Sequence, residues 1–511
     1  MKTFLLLVFA VVSLPAFAFG RQSEKGAVPG ELLVKFRPGT SLQRSRAVNE
    51  KYGASTIERF IGIGWERVKL PSGHSVRSAV AAYLGSADVE AAQPNYYYHL
   101  LATPNDPSYG SLWGMAKISA PQAWDLNTGS STVVVANIDT GVKYDHEDLA
   151  ANMWTNPGEI NNNGIDDDNN GFIDDYYGYD FFYNDPDPLD EHGHGTHTSG
   201  TIGAVGNNST GVVGVNWNVR IMAIKIYDSD GFGTTSAMLI NAYNYVRMMK
   251  LRGVNIRVTN NSYGGCDEAC GYDQATKDAI DALGSAGVLQ VFAAGNDGLN
   301  IDTSPQYPAA YNSPWIISVA NSTSSDTRNG GSNYGAANVD LAAPGTSILS
   351  TLNGTAAYGI LSGTSMSAPH VTGAAALLSS HNPSLSSASL KATIMNTVDV
   401  LPAWNGIVKT GGRLNVARAL QDQTVCSFNF SSSPIMVGTK GGTVTVNVTA
   451  GANCDFQVKS NARWIKVLGT DSFSGSGTVA FWVTVNPTVS RSATINIAGT
   501  DVTVNQSRGG F

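Results

Sequence analysis

Charge is scarce in this chain. Only 14% of its 511 residues are Asp, Glu, Lys or Arg, and acidic side chains outnumber basic ones by 40 to 32. Without a basic excess there is no electrostatic footprint for a phosphate backbone, so nucleic acid is excluded as a partner. Cysteine is scarcer, with four residues. That rules out a disulfide-dense miniature scaffold. Long apolar runs are also missing. The one sustained run, residues 4–14, follows Lys2 and ends before Ala16-Phe17-Ala18. It is too short to cross a bilayer, and it has the charged start, apolar middle and small-residue end of a secretory leader. Residues 1–18 are therefore expected to be a removable signal peptide. The rest is expected to be secreted, extracellular and free of the membrane. In that compartment disulfides are allowed, and Cys266 with Cys270 and Cys426 with Cys454 each fall within one expected domain. A Cys-x-x-x-Cys is also half of a metal site, although no second thiol pair lies near it in sequence.

Glycine is plentiful, with 55 residues, and the length suits about three domains. Residues 31–36, 56–60, 65–70 and 89–98 read as strands. Residues 41–52 and 76–84 read as helices, the second with apolar spacing at Val76, Ala79, Val80 and Tyr83. The order β-α-β-β-α-β fits a ferredoxin-like α+β unit over residues 19–103. From 104 to 421, short apolar runs (133–138, 221–226, 256–260, 288–293, 316–319) alternate with helical stretches such as 236–250 and 273–286. That is the pattern of a doubly wound, mainly parallel α/β sheet with its chemistry at the strand C-termini. From 422 to 511 the period drops to two, as at Val444, Val446 and Val448, and helical spacing disappears. An all-β sandwich is expected there, with Trp464 in its core.

Three short segments carry chemistry. Gly363-Thr-Ser-Met-Ser-Ala-Pro-His370 sets Ser365 at the start of a helix-like run, where backbone N–H groups and the helix dipole favour a developing oxyanion. Val135 to Gly141 supplies Asp139 at a strand end, and His194-Gly-Thr-His-Thr-Ser-Gly200 supplies His194. Taken singly, Ser365 reads as a helix cap and Asp139 as a turn former. His192, His194 and His197 form a His-x-His-x-x-His group that would also suit zinc, although a hydrolytic zinc helix usually reads His-Glu-x-x-His.

Together, in the order acid, base, nucleophile, the segments resemble the subtilisin-like serine proteases, or subtilases. The resemblance implies a peptide-hydrolysing enzyme with Asp139, His194 and Ser365 as its triad. His197 and His370 would then be structural. Asn296, in Val291-Phe-Ala-Ala-Gly-Asn296, would donate to the oxyanion, although alone it reads as a turn residue. The resemblance further implies two walls for an extended peptide. One is Ser262, Tyr263 and Gly264, with Gly295 beyond. The other is Gly231, Phe232 and Gly233. Residues 19–103 resemble the subtilase propeptide, which would act as an intramolecular chaperone and inhibitor, with processing near residues 98–103. The C-terminal segment resembles BACON-type modules, with glycan or surface contact as one use for it. A catalytically silent or adhesin-like binding protein on the same scaffold is the alternative reading.

Calcium is the expected cofactor. The run from Asp166 to Asp175 alternates short oxygen side chains before a glycine turn and suits a hard cation, although Tyr177 stands where an EF-hand has its Glu. Asp166, Asp168, Asn170 and Asp174, with the Phe172 carbonyl, are the candidate ligands. A solvated acidic loop is the other reading. A second site, at Asp106, Asp148 and Asn208 with carbonyls near Gly206, Thr210 and Val212, is implied by the resemblance alone.

Overall fold

The computed structural model describes residues 27–97, 102–264, 271–431 and 433–508. The leader, the Cys266–Cys270 pair and most of the expected processing segment lie outside the described residues. The chain separates into two compact units, Met1–Leu100 and Leu101–Phe511.

In the first unit, β1 (Ala27–Phe36), α1 (Leu42–Lys51), β2 (Ser55–Phe60), β3 (Trp65–Lys69), α2 (Val76–Leu84) and β4 (Val89–Tyr96) follow in the expected order. The sheet runs β2-β3-β1-β4 with antiparallel neighbours, the ferredoxin-like arrangement. Serine hydroxyls start both helices: Ser41 accepts from the Arg44 N–H, and Ser75 from that of Ser78. Leu32, Val34, Val68 and Tyr83 form its buried centre. β1 begins earlier than the apolar alternation suggested, because Ala27 pairs with Tyr96 beyond a register shift that separates it from Leu32.

The second unit opens with two short helices, α3 (Trp113–Lys117) and α4 (Ala120–Trp124), before β5 (Gly129–Asp139). Then come β6 (Gly178–Asp180), α5 (His194–Gly203), β7 (Asn218–Lys225), α6 (Ser236–Leu251), β8 (Ile256–Asn261), α7 (Gln274–Ser285), β9 (Leu289–Ala293), β10 (Ile316–Ser322) and β11 (Leu341–Pro344). A hairpin, β12 (Ile348–Thr351) with β13 (Tyr358–Leu361), precedes α8 (Thr364–His381) and α9 (Ser387–Asn396). β14 (Asp399–Val400), β15 (Gly412–Arg413) and α10 (Val416–Gln421) complete the α/β body.

The main sheet runs β14-β15-β11-β10-β9-β8-β5-β7-β6, and all its neighbours are parallel except β14 with β15. Both faces are covered, which explains the unbroken apolar runs. Val133 and Val135 of β5 pack with Val371 and Ala375 of α8, while Val134, Ala136 and Ile138 pack with Tyr243 and Val246 of α6. β5 is first in sequence but lies between β8 and β7, so chain order reverses on either side of it. Such a switch point opens a crevice at the strand C-termini.

Residues 429–506 fold as a four-stranded and a five-stranded sheet enclosing Val446, Phe481, Ile495 and Val504. Trp464 packs against this core with the Arg491 guanidinium 4.3 Å from its ring centre. Cys426 and Cys454 are joined by a disulfide. The sandwich is docked on the α/β body. Lys391 Nζ of α9 lies 2.7 Å from Asp455 Oδ2, both side chains buried. Gln457 Nε2 donates to Asp281 Oδ2 at 2.9 Å, and Asn312 Nδ2 to Thr470 Oγ1 at 3.1 Å.

Candidate active site

A cleft of about 330 Å³ opens where β5, β8 and β9 end, and Asp139, His194, Asn296 and Ser365 all line it. Asp139 is the last residue of β5 and is 2% exposed. Its Oδ1 lies 2.6 Å from His194 Nδ1 and also accepts from the Thr140 N–H, while Oδ2 accepts from Thr198 Oγ1. His194 begins α5. Gly195 must follow it, because a Cβ there would sit 2.1 Å from the Gly141 carbonyl. The open turn ahead of α5 is closed by Asp190, whose carboxylate accepts from the N–H groups of His192, Gly193 and Thr196 and from the hydroxyls of Thr140 and Thr196. Burial disfavours the His194 imidazolium, but the charge and hydrogen bond of Asp139, with Asp190 behind, outweigh it and raise the pKa above 6.5.

Ser365 is the second residue of α8, so its N–H is among those without a helical acceptor. Pro369 stands four residues on and has no N–H to donate to the Ser365 carbonyl. The Ser262 hydroxyl fills that place at 2.9 Å, and Ser365 Oγ donates to the Ser262 carbonyl at 3.1 Å. Asn296 Oδ1 accepts from the N–H and hydroxyl of Thr364. Since a backbone N–H can only donate, the Asn296 oxygen must face it, and Nδ2 is left for the cleft.

The two walls assemble unequally. Ser262, Tyr263, Gly264, Gly295 and Gly231 line the cleft. Phe232 stands 72% exposed beside it, and Gly233 packs under the Phe182 ring. The Tyr263 hydroxyl is tied to Asn261 Oδ1 and the Tyr243 hydroxyl, so the ring is held from below. The histidine group does not converge. His197 Nε2 bonds the Ile348 carbonyl, and burial holds this imidazole down at about 4. His370 Nδ1 faces the Met366 carbonyl and is likewise held at about 4 by burial.

Two acidic groups lie apart from the cleft. Glu159, Asp166 and Asp168 present carboxylate oxygens within 4.8 Å of one another. Glu159 Oε2 and Asp168 Oδ1 are buried without a hydrogen-bond partner, although Arg252 Nη2 lies 3.2 Å from the latter. Carboxylate oxygens gathered this closely suit a hard cation. Glu159 was not legible as a member, because it precedes the aspartate run. The Asp174 carboxylate accepts from the N–H groups of Asn163 and Gly164. Asn170 turns toward Asp175, and the Phe172 ring packs on Tyr179 and Tyr245. In the second group Asp148 is fully buried beside Asp106, and Asn208 Nδ2 donates to Asp148 Oδ1. Burial, helped by the Asp106 charge, pushes the Asp148 carboxyl up to about 6. Two buried like charges in one loop junction also fit a cation.

Residues 130–430 match the model of the subtilase family, and residues 13–95 that of the fervidolysin N-terminal prodomain. Thermitase of Thermoactinomyces vulgaris is 38% identical over 320 residues, covering 62% of this chain and 99% of thermitase. A thermophilic serine proteinase of Bacillus sp. (strain AK1) is 33% identical over 399 residues, 78% of this chain and 89% of that protein. Among solved structures, a protease of Pseudoalteromonas arctica PAMC 21717 aligns with a TM-score of 0.51 and 30% identity, covering 62% of this chain and 99% of that one. With the cleft, the sheet order and these matches in agreement, the chain belongs to the subtilase family and is a serine endopeptidase carrying an N-terminal prodomain.

Proposed function

We propose that the enzyme is a secreted, calcium-stabilised zymogen that cuts peptide bonds with Asp139, His194 and Ser365. The observation that carries this reading is the 2.6 Å contact of His194 Nδ1 with Asp139, in a cleft that also holds a helix-start serine. Ser365 Oγ turns from the Ser262 carbonyl toward His194 Nε2, gives up its proton there and attacks the scissile carbonyl carbon. The carbonyl π pair moves onto oxygen, between the Ser365 N–H and Asn296 Nδ2. Collapse breaks the C–N bond, and His194 returns the proton to the leaving amine. Water then attacks the acyl-enzyme by the same route in reverse. Asp139 holds the imidazole tautomer that makes Nε2 the acceptor.

A fluorophosphonate probe tests the assignment. Stoichiometric labelling mapped to Ser365 is expected, and a folded, processed enzyme that stays unlabelled would refute it. Asn296→Ala is expected to lower kcat by about 10²–10³-fold with KM little changed, the loss typical of one oxyanion donor, checked on a chromogenic peptide. The pH profile follows from His194. The base works only when neutral and its pKa is raised, so kcat/KM should fall on the acid side with an apparent pKa above 6.5.

Glu159, Asp166 and Asp168 would hold one calcium ion, and Asp106, Asp148 and Asn208 another. The ion would neutralise carboxylates that otherwise repel. A chelator is expected to lower the melting temperature reversibly. A site held at a hundred times its Kd contributes about 2.7 kcal/mol, and calorimetry across a calcium titration checks it. The prodomain would be cut off near residues 98–103 and would inhibit until then. The C-terminal sandwich is assigned as a BACON-like module, supported by its two-sheet build. Among the described residues no helix is long and apolar enough to cross a membrane.

A further inference from the structure

Beneath the cleft lies a polar layer that this reaction scheme leaves unused. Asn137 of β5 and Asn260 of β8 stand opposite one another in the parallel register, and both are fully buried. Each lies two residues before a cleft residue, Asp139 and Ser262, and strand period puts each pair on one face. A buried amide costs stability unless its hydrogen bonds are made. Here they are made. Asn260 Nδ2 donates to Asn137 Oδ1 at 2.9 Å. Asn137 Nδ2 faces the Gly195 carbonyl at 3.0 Å, Thr198 Oγ1 at 3.0 Å and Ser199 Oγ at 2.9 Å, all in α5. On the other side, Asn260 Nδ2 reaches Ser262 Oγ at 3.0 Å, and Thr372 Oγ1 of α8 donates to Asn260 Oδ1 at 3.1 Å.

The direction of each bond is fixed by chemistry. The Gly195 carbonyl can only accept, so the Asn137 NH₂ must face it. Asn137 Oδ1 then needs a donor, so Asn260 turns its NH₂ inward and its oxygen toward Thr372. With Asn137 donating to Thr198 Oγ1, the one Thr198 proton is shared between Asp139 Oδ2 at 3.1 Å and the Gly195 carbonyl at 3.0 Å. Ser262 Oγ continues to the Ser365 carbonyl. One run of hydrogen bonds thus joins the Asp139 carboxylate to the Ser365 backbone, through two amides 123 residues apart in sequence.

We propose that the Asn137–Asn260 amide pair is a positioning device that fixes the distance between the helix bearing His194 and the helix bearing Ser365. The proposal rests on the roles assigned to those two residues above. Both helices also pack on the sheet through apolar side chains, but apolar contact is non-directional and tolerates sliding. Hydrogen bonds to a shared pair of strands do not. Proton transfer between Ser365 and His194 is the step that feels their separation, so the pair should govern kcat rather than substrate affinity.

The test compares processed wild-type enzyme with Asn137→Ala, Asn260→Ala, the double variant, Thr198→Val and Thr372→Val. Each is normalised to active sites titrated with fluorophosphonate, which removes any loss from misfolding. Each alanine variant is expected to lose about 10–100-fold in kcat per titrated site with KM little changed. The double variant should lose no more than the worse single, since one cut already opens the bridge. The two valine variants remove, at nearly constant volume, the hydroxyls by which α5 and α8 hold the amide pair. They should lose about fivefold, and they decide the matter if the alanine variants do not accumulate. Turnover per titrated site within twofold of wild type in every folded variant would make the pair a packing feature and overturn the proposal. If Ser365→Ala retains hydrolysis, or wild type is not labelled, the failure lies in the assignment of Ser365, and the proposal falls with it.

Discussion

Ser365→Ala is expected to accumulate with its prodomain attached and to hydrolyse casein about 10⁶-fold more slowly than wild type, the order of loss when a triad nucleophile is removed. The size of the effect comes from the site acting as a unit. On the roles proposed above, without Oγ there is no atom for His194 to deprotonate and no acyl-enzyme to form, so Asp139 and Asn296 would stabilise nothing covalent. Intact-mass measurement of both proteins, expressed in a host without other proteases, separates the consequences. Wild type should show the mass of a chain shortened near residues 98–103, and the variant the uncut mass. A variant that matures as fast as wild type would show that another protease performs the cut.

Lys391→Ala is expected to destabilise the second unit by about 3–5 kcal/mol, because it strands the Asp455 carboxylate in a buried interface. The two side chains are only 4% and 7% exposed, so solvent screens little of their interaction. Replacing both at once, as Lys391→Met with Asp455→Leu, should recover most of the loss, since a buried ion pair is costly to break but seldom costly to replace with apolar groups. Urea denaturation in the Ser365→Ala background, where self-digestion cannot intervene, measures both. Burial pushes the Asp455 pKa up, but the charges of Lys391 and Lys409 more than reverse that and hold it below 3.8. The pair's contribution is therefore complete above about pH 4, the unfolded value for Asp, and is lost as the pH falls through the lower folded value. Stability independent of Lys391 would mean that the sandwich is held by its other contacts.

The fold was legible where one physical demand repeats along the chain. Strands buried on both faces must be apolar throughout, and those of the main sheet announced themselves that way. The sandwich, antiparallel except where residues 435–437 run parallel to 504–506, announced itself by alternation. The cleft residues were legible because each sits in a short segment whose neighbours serve the same backbone turn, as Gly193 and Gly195 do around His194. Features made by tertiary contact were not. Asn137 in an apolar strand reads as an isolated exception until Asn260 is seen in register beside it. Lys391 on α9 reads as a surface residue until the sandwich covers it. Glu159 stands outside the aspartate run, and its orphaned oxygen appears only once the loop is folded.

The place of β5 in the sheet has a consequence in time rather than in energy. Its neighbours β7 and β8 are distant in sequence and parallel to it, so no local hairpin can hold it while they arrive. Chains dominated by such pairings fold slowly. The same strand lies inside the sheet, third from its β6 edge, so unfolding must release partners on both sides, and the barrier is high in that direction too. For an enzyme bathed in others of its own kind, the lifetime of the folded state is set by how rarely it opens. An interior first strand in the second unit, paired only with strands far along the chain, makes assembly slow and makes the finished molecule a poor substrate for itself.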